Sequence, residues 1–128
     1  MPVGWLLAAT ALIEAATGVG LAAIPNSVAQ LLFGAGLSGP GLAAGRVAGI
    51  ALLALGVGSW IGRDQQGRSA PLAAMLVYNV LTAIYLGYLG FGGDLVGKLL
   101  WPAVGAHLVI GVLLIRAWFT REPQLRAK

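Results

Sequence analysis

The chain has 128 residues and a net charge of +4; apolar residues make up 59% of it and charged residues only 9%. A soluble domain needs far more surface charge, so this composition, with a mean hydropathy of +0.88, indicates a membrane protein. Cysteine is absent, which excludes disulfides, thiol catalysis and cysteine-bound metals, and the positive charge falls in short loops and at helix ends, which is not typical of nucleic-acid binding.

Four apolar blocks fill most of the chain, at residues 4–24, 43–62, 71–91 and 97–119. Each is about 20 residues long, which at about 1.5 Å per residue spans a hydrocarbon core of about 30 Å. The blocks predict an all-α fold, an integral membrane four-helix bundle that forms one domain over 1–128. The first block has no basic residue before it and a glutamate at its centre, so we expect a retained helix and not a signal peptide.

The segment between the first two blocks predicts a short fifth helix at the membrane interface. Pro25 is expected to end the first spanning helix, and Asn26 or Ser27 to cap the short one. Gly34 should stop it, and a Gly-rich connector at 34–41 leads to the second block.

Basic residues are distributed unequally between the two ends of the predicted bundle. With four spans, the end that holds both termini carries Arg63, Arg68, Arg116, Arg121, Arg126 and Lys128, and the other end carries only Arg46 and Lys98. Positive charge stays in the cytoplasm, so both termini are predicted to be cytoplasmic. The indole rings of Trp5, Trp60 and Trp118 fall at that end, where they can anchor at the headgroup level.

Glu14 lies near the middle of the first block, with Thr10 and Thr17 on the same helix face. Lipid offers a carboxyl group no water, so Glu14 needs either a partner or a function. Its position predicts either a site that binds a proton or a cation, or a carboxyl group that only stabilises the bundle. The structural alternatives are a neutral acid bonded to another helix and an ion pair with Arg46.

Arg46 lies roughly 9 Å from the midpoint of the second block, at about 1.5 Å per residue. Its long side chain can extend outward to lipid headgroups or inward to Glu14. Three alternatives stay open for Arg46: outward extension, a buried ion pair and an anion-binding role.

His107, the only histidine, lies near the middle of the fourth block. It could ligate haem, relay a proton or form a hydrogen bond with a quinone. A second haem ligand would have to come from Met75 or a partner chain. The structural alternative is a neutral histidine bonded to Asn79 or Glu14.

Asn79 lies near the middle of the third block, beside a polar stripe at helical spacing formed by Tyr78, Thr82 and Tyr85. That stripe could line a ligand cavity or act as hydrogen-bonding contact between helices. Glycines in the second block, at Gly45 and Gly49 and at Gly58 and Gly62, predict close helix contacts within the bundle or between protomers.

The order of these features resembles a group of small bacterial four-helix membrane proteins related to the DoxX-like family. The residues that carry the resemblance are Pro25 with 31–34, the run 45–49 with 52–56 and Trp60, the run 74–79, and 101–104 with His107. The resemblance implies a four-helix bundle in the bacterial inner membrane. Some DoxX-like members are similar to subunits of quinone-linked membrane oxidoreductases.

A second resemblance rests on one residue, Glu14, whose position is similar to that of the essential glutamate in the first helix of small multidrug resistance transporters. It implies a proton-coupled site. This chain departs from those transporters in its third helix, its long 25–41 loop and its strong charge bias.

The chain has no phosphate-binding glycine loop after a strand, no His–Glu metal motif, no nucleophile elbow and no pair of carboxylates for hydrolysis. We therefore expect a non-enzymatic membrane subunit or lipophilic-ligand-binding protein, oligomeric or part of a larger complex. Glu14, Arg46, Asn79 and His107 would form its polar site, and Thr10, Thr17, Tyr78, Thr82 and Tyr85 would line it. The alternatives are a proton-coupled transporter that uses Glu14 and, third, a haem- or quinone-linked redox subunit that uses His107.

Overall fold

The computed structural model describes residues 2–121 and contains five α-helices, with no strand in that range. They are α1 (Val3–Ala23), α2 (Pro25–Phe33), α3 (Pro40–Ile61), α4 (Ala70–Gly92) and α5 (Leu100–Thr120). All except α2 are long and apolar enough to cross a membrane. The predicted all-α, four-helix membrane architecture is therefore confirmed. Arg126 and Lys128, two of the basic residues counted above, lie outside the described residues.

The short helix α2 forms where it was predicted, but it begins differently. Pro25 ends α1 and is itself the first residue of α2, a position that suits proline because the first-turn N–H groups lack helical partners. The prediction that Asn26 or Ser27 caps this helix is wrong, since no side chain caps it. Asn26 Oδ1 instead accepts a hydrogen bond from the Leu37 N–H at 2.8 Å and so holds the following loop. Gly34 ends the helix in the left-handed conformation, with φ of 70°.

Helix α2 covers one end of the bundle, which we call the α2 end. It contacts α1, α3 and α5, and its Pro25 and Ala29 side chains are buried. The loop before α5 is bonded to it, because the N–H groups of Gly97 and Leu99 donate to the carbonyls of Leu32 (2.9 Å) and Leu31 (2.8 Å). The opposite end, where α1 and α4 begin and α3 and α5 end, is called the basic end.

Helices α1 and α3 form one tightly packed pair. A Cβ atom on Gly18 would lie 2.5 Å from the backbone nitrogen of Leu53, and one on Gly56 would lie 2.7 Å from the Ala11 carbonyl oxygen. Gly49 meets the backbone of Ala22 in the same way. Glycine at these positions lets the two backbones touch directly. The contact thus uses Gly49 and Gly56, seven residues apart, and the predicted glycine Gly58 faces open space.

Helices α4 and α5 form the second pair, and the two pairs meet through much less extensive contacts. Of the two apolar clusters, the larger joins the two pairs and the smaller joins α4 and α5 to α2. The larger, towards the basic end, contains Leu6, Leu7, Ala11, Leu72, Met75, Leu114 and Ala117. The smaller, towards the α2 end, contains Leu86, Leu100 and Val104 with Phe33 and Ala103 packed against it. A layer of polar side chains lies between the two clusters.

Candidate functional site

The polar layer between the two clusters is the candidate site, and we call it the mid-bundle layer. Its members come from three helices: Glu14 from α1, Tyr78, Asn79 and Thr82 from α4, and His107 from α5. It is the layer at which the two helix pairs exchange polar contacts.

Glu14 is the acidic residue of this layer, and its side chain is only 1% exposed. Its Oε1 atom has no hydrogen-bond partner among residues 2–121. No cation neutralises it either, because the one ion pair in the described part of the chain joins Arg63 to Asp64 at the surface. A buried, ionised carboxylate without a cation is very costly, and an unpaired oxygen adds to that cost.

Tyr78 connects Glu14 to the second helix pair. Its hydroxyl group lies near the Glu14 carboxyl and near the hydroxyl of Thr82, one turn further along α4. Its ring meets the His107 ring edge to face, with the ring centroids 5.6 Å apart and the planes at 81°. Tyr78 therefore contacts His107 and lies beside Glu14, the other titratable group of the layer.

Asn79 holds His107 in a defined orientation. The Asn79 Nδ2 group donates to the Met75 carbonyl at 2.9 Å, and Asn79 Oδ1 lies 2.8 Å from His107 Nδ1. A carbonyl can only accept, so the amide nitrogen must face Met75 and the amide oxygen must face the histidine. His107 Nδ1 is therefore the donor, and of the two partners considered above, Asn79 and Glu14, the structure selects Asn79.

This arrangement leaves the other ring nitrogen of His107 as the reactive one. In a neutral imidazole with its proton on Nδ1, Nε2 carries a lone pair that can accept a proton or a hydrogen bond. No side chain of residues 2–121 forms a hydrogen bond with Nε2. Met75, considered above as a second haem ligand, is fully buried in the larger apolar cluster, and its sulfur lies 3.8 Å from Asn79 Nδ2.

Arg46 is the predicted site residue that the structure places elsewhere. Its side chain is exposed at the α2 end, and its Nη1 group donates to the Ala22 carbonyl at the end of α1, at 3.1 Å. Because α1 and α3 run antiparallel with Gly18 beside Gly49 and Leu53, Arg46 lies about two helical turns from the level of Glu14. The ion pair between Glu14 and Arg46 does not form.

The threonines of α1 and the last tyrosine of the α4 stripe also lie outside the layer's contacts. Thr10 donates to the Leu6 and Leu7 carbonyls and Thr17 to the Ile13 carbonyl, all within α1. Such bonds to the preceding turn are the usual solution for a threonine in a membrane helix. Tyr85 is 60% exposed on the outer surface of α4. Of the predicted cavity-lining residues, only Tyr78 and Thr82 belong to the layer.

One polar residue of α3 was not singled out from the sequence. Ser59 is buried, and its hydroxyl has no partner among the described residues. It lies in a groove of about 290 Å³ between α3 and the start of α4, whose other lining residues are Ala54, Leu55, Gly58, Ala70, Pro71 and Ala74. A serine near a helix end is common in any sequence, so its burial without a partner could not be predicted.

Comparisons with protein-family models, with curated proteins and with solved structures found no match to this chain. The site must therefore be interpreted from its own chemistry. Within residues 2–121 no group of three or more potential ligands is placed to hold a metal ion. The mid-bundle layer offers one carboxyl oxygen and one imidazole nitrogen without partners, together with two hydroxyl groups, inside an apolar bundle. Such a layer can bind a small polar group carried on a lipophilic molecule, or it can take up and release a proton.

Proposed function

We propose that this chain is a non-enzymatic, multi-pass protein of the bacterial inner membrane that binds a lipophilic ligand by its polar group at the mid-bundle layer. It acts as a homo-oligomer or as a subunit of a larger complex, with both termini in the cytoplasm. The resemblance to DoxX-like proteins is in keeping with this assignment. Among the described residues, the basic end carries Arg63, Arg68, Arg116 and Arg121, and the α2 end carries Arg46 and Lys98, which supports the orientation.

The observation that carries the proposal is Glu14 Oε1, a buried oxygen without a partner, in the same layer as the half-buried His107, whose Nε2 bonds to no described side chain. Native proteins rarely bury polar atoms without partners, and such atoms call for an explanation when they occur. A ligand hydroxyl between the two helix pairs would satisfy both, whereas a ligand carbonyl would satisfy only a protonated Glu14. A hydroxyl can donate to the imidazole lone pair, and a carbonyl can accept from a protonated carboxyl group. A phenol or quinol headgroup offers this chemistry.

The packing of the helices supports access from the side. The α1–α3 pair and the α4–α5 pair are each closely packed internally but meet through fewer contacts. The groove at Ser59 shows where α3 and α4 separate, and its lining is almost entirely apolar. A hydrocarbon chain can lie along such a groove, while the polar headgroup reaches inward to the layer.

Thermal unfolding of the purified protein in detergent tests the proposal, with a decyl-substituted quinol as the probe and decane as its apolar counterpart. The quinol should raise the melting temperature of the wild type, because a ligand that binds only the folded state stabilises it. Glu14→Gln and His107→Phe should reduce that shift, and the control Tyr85→Phe, on the outer surface of α4, should keep it. An equal shift with decane, or an unchanged shift in both site variants, would refute a mid-bundle polar site.

A proton-coupled transporter is the second candidate, and one specific observation favours it. Glu14 is the acidic residue of the spanning helices, lies at mid-bundle and has no cation to hold it permanently ionised. An intramembrane carboxyl group that is free to change its protonation state can couple proton movement to transport. Proton flux into vesicles containing the wild type, lost in Glu14→Gln with folding intact, would establish this function. If vesicles containing the wild type show no proton flux, the transporter function is excluded and ligand binding is the remaining proposal.

The redox alternative has a direct test of its own. A protein that carries haem shows a strong Soret absorption band, so a visible spectrum of the protein purified from its native membrane decides the point. The single histidine would then be the only imidazole available to the iron.

A further inference from the structure

The basic end of the bundle contains a cavity that is separate from the mid-bundle layer and from the groove at Ser59. It has a volume of about 530 Å³, and its lining includes Trp5, Trp60, Arg63, Asp64, Gln65 and Arg121. These residues come from the start of α1, the end of α3, the loop after α3 and the end of α5. We call it the basic-end groove. Its volume is within the range of about 300–1,000 Å³ that is typical of small-molecule sites.

The two arginines of the groove are held in place by backbone carbonyls and not by carboxylates buried beside them. Arg63 Nη1 donates to the Trp60 carbonyl at 2.7 Å, and Arg121 Nη1 donates to the carbonyls of Gln65 and Gly67 at 2.8 and 3.0 Å. Carbonyls orient a guanidinium group without neutralising its charge. Each group has five N–H donors, so donors remain for a ligand.

Among the described residues of the lining, the one acidic side chain does not cancel this charge. Asp64 is largely exposed to solvent, and its Oδ2 lies 3.6 Å from Arg63 Nη2, which is longer than a good charge-assisted hydrogen bond. Exposed ion pairs of this kind are weak. Two arginines against one aspartate leave the lining with a net positive charge of one.

The groove also has an apolar side, which is formed by two tryptophans. Trp5 is 70% exposed, and Trp60 is exposed and carries the Arg63 guanidinium 4.5 Å above its ring. Tryptophan prefers the headgroup level of a bilayer because its ring is apolar and its N–H is polar. The groove therefore has cationic donors on its loop side and two indole rings on its membrane side.

We propose that the basic-end groove binds the anionic headgroup of a phospholipid of the adjacent leaflet, with Arg63 and Arg121 on the phosphate and the acyl chains descending past Trp5 and Trp60. Guanidinium groups suit a phosphate because they can donate two parallel hydrogen bonds to it. A zwitterionic phospholipid carries its own cation beside the phosphate and should bind less well. This site is independent of the mid-bundle layer and of the function proposed for it.

Binding can be measured with the protein in vesicles of phosphatidylcholine into which brominated phosphatidylglycerol is titrated, because bromine quenches tryptophan fluorescence on contact. The wild type should be quenched by small fractions of brominated phosphatidylglycerol and less by the same fractions of brominated phosphatidylcholine. Arg63→Gln and Arg121→Gln should each lower the relative affinity for phosphatidylglycerol by about tenfold, in keeping with the loss of a charge-assisted hydrogen bond.

Arg46→Gln is the matched control, since it removes the same charge from an exposed arginine at the α2 end. An equal loss in this control would mean that only the net charge matters, and it would overturn the proposal. So would equal quenching of the wild type by both lipids. Because Arg121 also holds the loop after α3, Arg63→Gln is the variant that decides if Arg121→Gln unfolds, since the Arg63 side chain donates its hydrogen bond to the Trp60 carbonyl three residues earlier.

A further arm distinguishes the lipid from a soluble phosphate ester. Glycerol 1-phosphate, added to the protein in phosphatidylcholine vesicles, should displace brominated phosphatidylglycerol only at concentrations far above those of the lipid. Displacement at comparable concentrations would assign the groove to a soluble phosphate and overturn the lipid proposal.

Discussion

Asn79 Oδ1 lies 2.8 Å from His107 Nδ1, and this one contact decides which nitrogen of the histidine remains available. The Met75 carbonyl fixes the orientation of the amide, and the amide fixes the tautomer of the imidazole. The available nitrogen, Nε2, then belongs to the same layer as the unpartnered oxygen of Glu14. Two helix pairs that pack separately thus each contribute one atom with an unused hydrogen-bonding capacity.

The tautomer of His107 can be measured by NMR without assigning the imidazole signals to residues, because the chain has one histidine. In ¹⁵N spectra of histidine-labelled protein, we expect the proton on Nδ1 and an unprotonated Nε2. In Asn79→Leu this preference should disappear, and the free energy of unfolding should fall by about 1–3 kcal/mol because a buried donor loses its acceptor. A wild-type spectrum with the proton on Nε2 would contradict the Asn79 contact.

Glu14→Gln should change stability little, by about 1 kcal/mol or less. The carboxyl group has no cation partner, so the substitution leaves no buried charge unpaired. Thermal or denaturant unfolding in detergent, applied to Glu14→Gln, Arg46→Gln and the double variant, gives the coupling between the two residues. We expect a coupling energy near zero, within about 0.5 kcal/mol. A coupling of several kcal/mol would show that the two side chains form an ion pair after all.

Glycine substitutions on α3 should separate close packing from helix propensity. Gly56→Ala places a methyl group against the Ala11 carbonyl, so it should destabilise the protein by about 1–3 kcal/mol. Gly58→Ala is the matched control on the same helix, since a Cβ there meets no atom within 4 Å and alanine is the better helix former. Unfolding measurements that show equal effects of the two substitutions would contradict the α1–α3 contact.

The orientation in the membrane is open to a direct test with reporter fusions. Reporters fused at Lys128 and inserted in the 63–70 loop should report the cytoplasm, because the basic residues of the described chain gather at that end. A reporter inserted at Gly36, in the loop after α2, should report the opposite side. Reporters at Gly36 and Lys128 on the same side of the membrane would contradict the four-span topology.

The spanning helices and their polar midpoints could be predicted from the sequence, because both depend on properties of one segment at a time. A run of about 20 apolar residues has the length of the hydrocarbon core whatever it packs against. The depths of Glu14, Asn79 and His107 follow from their positions in those runs. Gly34 could be predicted as the end of α2 for the same reason, since a left-handed helix end favours glycine locally.

Only the tertiary structure decided which polar side chains meet. Arg46 and Glu14 looked like partners because each is a charge in an apolar segment, but the register of α1 against α3 holds them about two turns apart. That register depends on Gly18, Gly49 and Gly56 meeting backbone of the facing helix, a fit between two surfaces that neither segment reveals alone. The same holds for Asn79 and His107, whose contact depends on the rotation of α4 against α5. Sequence periodicity gives the face of a helix, and the packing of small and large residues across the interface sets what that face touches.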